Sequence, residues 1–177
     1  MKKLLKGIIW SLVALIVIFV GGGYLLPGAA VVERQIVITA PPEKVFAIVG
    51  HMKRFNEWSP WAELDPATAY KFEGPESGIG QKMSWVSKNP NVGSGSQTII
   101  ELVENTSTAT ALDFGGMGKA RASIRLSSVN GGTGVTWGFK AELDSITERW
   151  FGLLFDRWIG ADYEKGLGKL KALAEKQ

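Results

Sequence analysis

His51 is the only histidine in the chain and cysteine is absent, so a nucleophilic relay through imidazole would have to use that one residue. It follows a short apolar segment and stands among Lys53, Arg54 and Asn56, with no Gly-x-Ser-x-Gly elbow elsewhere to serve. A surface or helix-terminal histidine is the expectation. The lack of cysteine excludes disulfides, thiolate nucleophiles, Fe–S clusters and cysteine-based zinc sites. A metal would need carboxylates almost alone, and no Asp-x-Asp-x-Asp-Gly spacing occurs. No metal and no other cofactor is expected. The run Gly115-Gly116-Met117-Gly118-Lys119-Ala120 superficially resembles a phosphate loop, but Asp113 stands where the first glycine belongs and no Ser or Thr follows the lysine. It reads as a hairpin turn. Asn105-Thr106-Ser107 matches a glycosylation sequon and reads as a β-turn.

Few polar groups are left to act on a substrate. Tyr70 and Asp113 are the candidates for acid–base work in an enzyme reading, and Asp113, Arg121 and Arg125 for anchoring a ligand head group. Alternation along the strand puts both arginines on a wet face, so no catalytic residue is assigned. Large apolar side chains are more plentiful. Tyr70, Phe72, Met83, Trp85, Leu112, Phe114, Trp137 and Phe139, with Leu154 and Trp158 further on, are the candidates to line a hydrophobic cavity; ordinary core packing uses the same residues.

The elements that must position them follow from periodicity. Val32, Arg34, Ile36 and Ile38 alternate with Glu33, Gln35 and Val37 as a strand, and Pro41-Pro42-Glu43 opens a helix that buries Val45, Phe46 and Val49. His51 to Trp61 reads as a short helix and an irregular loop plugged by Phe55, Trp58 and Trp61. From about Ala67 to Lys140 the period is two, broken by glycine pairs. Ala120, Ala122, Ile124 and Leu126 alternate with charged residues, and Val135, Trp137 and Phe139 repeat the pattern. Ile99 to Val103 does not alternate, which predicts a strand covered on both faces. The stripe Ile159, Tyr163, Leu167, Leu170 and Ala174 predicts a helix lying on the sheet. The aromatic block Trp150, Phe151, Phe155 and Trp158 is expected in the core, with a cavity gate or a membrane-surface contact as alternatives.

Residues 8–26 are uncharged and apolar, preceded by Lys2, Lys3 and Lys6. Roughly 19 helical residues at about 1.5 Å each cover a bilayer core of about 30 Å. The lysines put the N-terminus on the cytoplasmic side and everything after about residue 27 outside; a cleaved signal peptide is the rival reading, disfavoured by the length of the apolar run. The chain of 177 residues then divides into an anchor, residues 1–27, and one outer domain, residues 28–177. The three lysines account for the whole net charge of +3: without them the 20 basic residues fall to the number of the 17 acidic ones. A neutral outer domain argues against a nucleic-acid partner.

The order strand, two short helices, antiparallel strands and a long last helix resembles the START-like or SRPBCC superfamily, also described as polyketide cyclase/dehydrase-type or Bet v 1-like. The resemblance is carried by Ile38-Thr39-Ala40-Pro41-Pro42-Glu43-Lys44-Val45-Phe46, Trp58-Ser59-Pro60-Trp61, Gly131-Gly132-Thr133-Gly134-Val135-Thr136-Trp137 and Tyr163-Glu164-Lys165-Gly166-Leu167. It is closest to membrane-anchored bacterial members. It implies an α+β helix-grip fold, a curved antiparallel sheet of six or seven strands gripping the last helix, with a cavity for a hydrophobic small molecule or lipid between them. Together with the anchor and its lysines, this gives an expected location in a bacterial inner membrane with an extracytoplasmic domain. The expected function is ligand binding without covalent chemistry, lipid-like or quinone-like; a cyclase/dehydratase acting on a polyketide-like substrate and an anchored module for a protein partner are the alternatives.

Overall fold

The computed structural model describes residues 2–176. Helix α1 (Lys2–Leu25) leads through three residues into strand β1 (Ala29–Ile38), followed by α2 (Pro42–Val49), a 3-10 turn (Met52–Arg54) and the short α3 (Phe55–Trp58). Strands β2 (Ala69–Glu73), β3 (Lys82–Val86), β4 (Ser94–Val103), β5 (Ser107–Asp113), β6 (Lys119–Val129) and β7 (Gly132–Glu142) come next. Helices α4 (Ile146–Gly152) and α5 (Phe155–Lys176) close the order. The seven strands form one antiparallel sheet in the order β1-β7-β6-β5-β4-β3-β2, so consecutive hairpins carry the chain from β2 to β7 and β1 joins at the far edge. With α5 held on its inner face, this is the α+β helix-grip fold.

Local chemistry explains the elements. Proline opens α2, where its missing N–H leaves no bond unmade, and Glu43 sits in the positively polarised first turn. Ser145 and Glu148 form a reciprocal capping box on α4. The Gly131-Gly132-Thr133 turn does two jobs. Gly132 (φ 153°) lies against the Ile38 carbonyl where any Cβ would collide, and the Thr133 hydroxyl donates to the Ala40 carbonyl at 2.6 Å. The turn before β7 is thereby locked to the corner between β1 and α2, which is why those two sequence motifs occur together.

The core lies between the concave sheet and α5. Ile124, Leu126, Val135, Trp137 and Phe139 meet Tyr163, Leu167, Leu170 and Ala174, with Val45, Ile48 and Trp58 closing one end. Trp137 stacks on Tyr163 (centroids 3.7 Å, 8° between planes), and Trp58 meets its edge at 4.8 Å. Gly166 allows the contact, since a Cβ there would come within 2.6 Å of Trp137 Cζ3. Arg34 crosses from β1 to α5 over Gly160, whose missing Cβ makes room for the guanidinium. It donates to Asp156 at 2.9 Å and Glu164 at 2.7 Å. The Asp156 carboxyl is held below its usual range by that hydrogen bond.

Two expectations are corrected. The strand around Ile99 is not covered on both faces: a β-bulge between Ile99 and Glu101 shifts its parity, so Ile99 and Leu102 point inward while Ile100 and Glu101 are exposed. The aromatic block is not core throughout. Phe155 packs edge-on against Phe139, but Phe151 and Trp158 are 54% and 51% exposed, with Leu153 and Leu154 exposed beside them. Trp150 turns instead to α1, stacking on Phe19 at 5.8 Å and donating its indole N–H to the Phe19 carbonyl at 3.0 Å. Gly22 and Gly23 make this possible: a Cβ on Gly22 would stand 2.9 Å from Trp150 Cζ2, and one on Gly23 would strike Ile146.

Candidate functional site

The concave face is ordered in cross-strand rows set by the register. One runs Met83, Gln97, Leu112, Ala120; the next Ile99, Thr110, Ala122, Phe139, Val32; a third Leu102, Thr108, Ile124, Trp137, Arg34. Toward the last of these rows α5 presses directly on the sheet. Toward the first it stands away, and Trp158, Ile159, Asp162 and Tyr163 of α5 border the gap. The gap is a cavity of about 330 Å³. Its floor is the sheet, its roof the first two turns of α5, and its side wall α3 with Trp61. The turns Pro90–Gly93 and Phe114–Met117 frame its rim, and it reaches the surface there and at Trp158, since Met117 and Trp158 are both exposed.

Seven of the ten residues expected to line a cavity surround this space: Tyr70, Met83, Trp85, Leu112, Phe114, Phe139 and Trp158. Trp85 lies over Gly95, where a Cβ would be 2.8 Å from its ring, and meets Phe114 edge-on at 6.0 Å. Its indole N–H donates to the Val92 carbonyl, fixing the rim turn. Three residues lie elsewhere. Trp137 borders a separate inner chamber of about 40 Å³ behind Phe55. Phe72 is on β2, an edge strand with nothing beyond it to enclose its ring. Leu154 faces outward at the bend between α4 and α5.

The other polar candidates are also placed. Asp113 is drawn into the turn, accepting from the Gly115 N–H at 2.8 Å and facing Lys119 at 3.7 Å. Arg121 and Arg125 lie on the convex face, paired with Glu101 and Glu33. Gly115–Met117 forms a 3-10 turn of the hairpin β5–β6, and Asn105, with φ 56°, forms the tight turn before β5. His51 stands at the helix terminus as expected, yet its Nδ1 is buried without a partner and it borders the inner chamber. No group of three or more metal-ligating side chains occurs among the described residues.

Sequence reasoning missed the polar features of the lining: Gln97, Asn56 and Asp162. Gln97 sits within the polar run Ser94 to Thr98, and its position opposite Met83 and Leu112 is visible only once the register is known. The ionisable groups of the lining are Tyr70, Tyr163 and Asp162. Asp162 accepts from the Trp61 indole at 3.1 Å, and burial pushes the Tyr163 phenol above its ordinary value, leaving it a neutral donor. The lining is mostly apolar, with Gln97, Asn56, Tyr70, Tyr163 and Asp162 as its hydrogen-bonding groups.

A family profile described as polyketide cyclase/dehydrase and lipid transport matches residues 29–175. The chain belongs to that family. Solved structures agree on the fold. The protein CV1439 of Chromobacterium violaceum superposes with a TM-score of 0.60 at 17% identity, over 82% of this chain and 97% of that one. The di-domain ARO/CYC StfQ of the steffimycin biosynthetic pathway gives 0.63 at 11% identity, over 84% of this chain and 51% of its own. Ara h 8.0201 gives 0.59 at 13% identity, over 85% and 100%. No curated protein matches the sequence. This member of the polyketide cyclase/dehydrase and lipid transport family therefore has the Bet v 1-like fold with an apolar cavity, which fits hydrophobic-ligand binding or cyclase chemistry. It also carries α1, a helix long and apolar enough to cross a membrane.

Proposed function

We propose that the protein is a membrane-anchored binder of a hydrophobic, lipid-like or quinone-like molecule, with residues 1–27 as anchor and residues 28–177 as the binding domain. The observation that carries this reading is the cavity of about 330 Å³ with its lining of Tyr70, Met83, Trp85, Leu112, Phe114 and Phe139. Its size is at the lower end of small-molecule sites, roughly 300–1,000 Å³. Binding comes from apolar surface leaving water, with few polar groups to orient the guest. The absence of lysine, arginine and histidine from the described lining, with Asp162 engaged by the Trp61 indole, favours holding over transforming.

The seat of α4 on α1 supports the anchored location. Phe19 lies six residues before the end of α1 at Leu25, about 9 Å along a helix axis. With α1 across a bilayer, Trp150 is held at the depth where interfacial helices lie, about 5–10 Å below the surface. Phe151, Leu153, Leu154 and Trp158 then meet lipid, tryptophan at the level it prefers. Trp158 also borders the cavity, so in this reading a guest passes between bilayer and protein beside it. The lysines at 2, 3 and 6 favour an outward-facing domain in a bacterial inner membrane.

Native mass spectrometry of the full chain released from detergent tests the binding reading. A retained or readily loaded hydrophobic molecule, released unaltered, is expected. No uptake of any apolar probe overturns it, and conversion of the guest to a new mass moves the protein to the cyclase class. The same spectrum reads the anchor: the intact mass is expected, and loss of the first 25 to 30 residues would mean a cleaved signal sequence.

A further inference from the structure

Among the described residues two glutamines are buried, and only one of them, Gln97, borders the cavity. Gln81, 3% exposed, is saturated: its carbonyl accepts from the Met52 N–H at 3.0 Å, and its amide donates to the carbonyls of Gly50 at 3.2 Å and Gly78 at 2.9 Å. Gln97 is just as buried, 5% exposed, yet its Nε2 has no partner. A buried amide left unpaired carries the full penalty of its desolvation. Folding explains Gln81 and leaves Gln97 without a structural task.

Its position is specific. Gln97 occupies the middle of an otherwise apolar row, between Met83 and Leu112 on the cavity floor. It borders both the large cavity and the inner chamber, together with Phe55 and Ala122. That chamber is also bordered by three more polar atoms lacking protein partners: His51 Nδ1, Thr108 Oγ1 and Trp58 Nε1. At roughly 10–15 Å³ for each water, about 40 Å³ has room for about three or four waters. A second amide, Asn56, whose Oδ1 is buried and unpaired, also borders the large cavity. Where the two spaces meet, at Phe55, Gln97 and Ala122, the lining therefore carries a neutral hydrogen-bonding group.

We propose that Gln97 recognises an uncharged hydrogen-bond acceptor, a ketone- or quinone-type carbonyl oxygen, at the buried end of the ligand. Nε2 donates to that oxygen, and the inner chamber's polar atoms continue the network behind it. Charge excludes the nearest competitors. Among the described lining residues no lysine, arginine or histidine borders the large cavity, so a carboxylate or phosphate would enter unpaired, past Asp162. A plain hydrocarbon would leave the amide unpaired as before. The inference rests on the binding reading above and adds which end of the guest enters and what it must carry.

The test compares three naphthalenes of similar shape, 2-acetylnaphthalene, 2-ethylnaphthalene and 2-naphthoate, binding to the full chain in detergent and read by quenching of the cavity tryptophans. Taking the ketone-to-hydrocarbon affinity ratio in the wild type over that in Gln97→Leu cancels partition into the micelle. A ratio of about 5 to 10 is expected, with the ketone weakened and the hydrocarbon unchanged or tightened. The wild type is also expected to take the naphthoate least well. A ratio of one with both neutral probes bound overturns the role of Gln97 and leaves the cavity reading standing; binding of none of the probes overturns both. A ligand-free melt guards against a damaged fold. Gln97→Leu is expected to melt no lower than the wild type, and Gln81→Leu clearly lower. Gln97→Met serves as the second variant, and must give the same ratio.

Discussion

Two glycines a single half-turn apart on α5 offer a controlled measurement of how tightly the sheet grips the helix. Gly168 is exposed, with nothing within 4 Å of where its Cβ would be. Gly168→Ala should therefore gain only helix propensity, about 1 kcal/mol. Gly166 gains the same, but its Cβ would stand 2.6 Å from Trp137 Cζ3 and 3.1 Å from Pro60 Cδ. Ordinary contact begins at 3.4 Å, so the indole must retreat by about 0.8 Å. It has nowhere to go: Tyr163 is stacked on one face, and Trp58 and Trp61 stand edge-on around it. Overpacking of this kind costs about 1–3 kcal/mol. The two alanine variants should differ by that amount, with Gly168→Ala the more stable. At about 2–4 °C per kcal/mol for a domain of this size, the separation in melting temperature is roughly 2–12 °C. Urea titration of the full chain in detergent, followed by near-UV circular dichroism of the tryptophan cluster, reads both values. Equal stability of the two variants within about 0.5 kcal/mol would refute the seat of α5 on Trp137, since the propensity gain is common to both.

Further outcomes follow from the same geometry. Filling the cavity floor by Ala122→Leu should abolish uptake of 2-acetylnaphthalene while leaving the fold intact by far-UV circular dichroism. Because the chain has no cysteine, a spin label on Leu153→Cys can report depth without competition; it should sit at the acyl–headgroup boundary, and a label on Ser128→Cys in water, by collision with oxygen and a nickel chelate. Equal water access at both sites removes the membrane contact. Ser145→Ala should loosen α4 by about 1 kcal/mol through loss of its cap, seen as faster amide exchange over residues 146–152. Asp156 and Glu63 are held below their ordinary values chiefly by hydrogen bonds from Arg34 and Lys169 respectively. Depressed carboxylates stabilise the fold above about pH 4 and lose that contribution as pH falls through their folded values. Urea midpoints should drop between pH 5 and 3, and less steeply in Asp156→Asn.

The periodic elements were legible because one face of each meets water and the other does not. Ala120 to Leu126, Val135 to Phe139 and the stripe from Ile159 to Ala174 all follow this rule, and the helix-grip architecture comes with them. What could not be read depends on partners distant in sequence. The bulge at Ile99 adds one residue against β5, and no local pattern distinguishes it from a strand buried on both faces. Phe72 has the composition of a cavity residue but lies on an edge. Phe151 and Trp158 look like core until α1 is seen to take the neighbouring Trp150. Gln97 carries no signal of its own; a glutamine among serines and glycines looks like solvent-facing strand until the register sets it between Met83 and Leu112.

The pairing of β1 with β7 has a consequence for biogenesis. Ile38 and Thr133 face one another across on the order of 100 residues of chain, and Leu170 and Ala174 complete the core from the last turns of α5. As a ribosome makes the polypeptide, β1 follows directly on the apolar helix, yet the strand that pairs with it comes only after all the others. The hairpins from β2 to β7 need only their neighbours and can form as they appear. The first strand must wait, its pairing edge open until β7 emerges and Val32 and Ile38 unburied until the final helix arrives to close over them. Such delayed closure exposes a sticky edge in the crowded space where nascent chains meet. A truncation only ten residues short of the end of α5 should therefore yield a chain that is degraded or aggregated, although every strand of its sheet has been made.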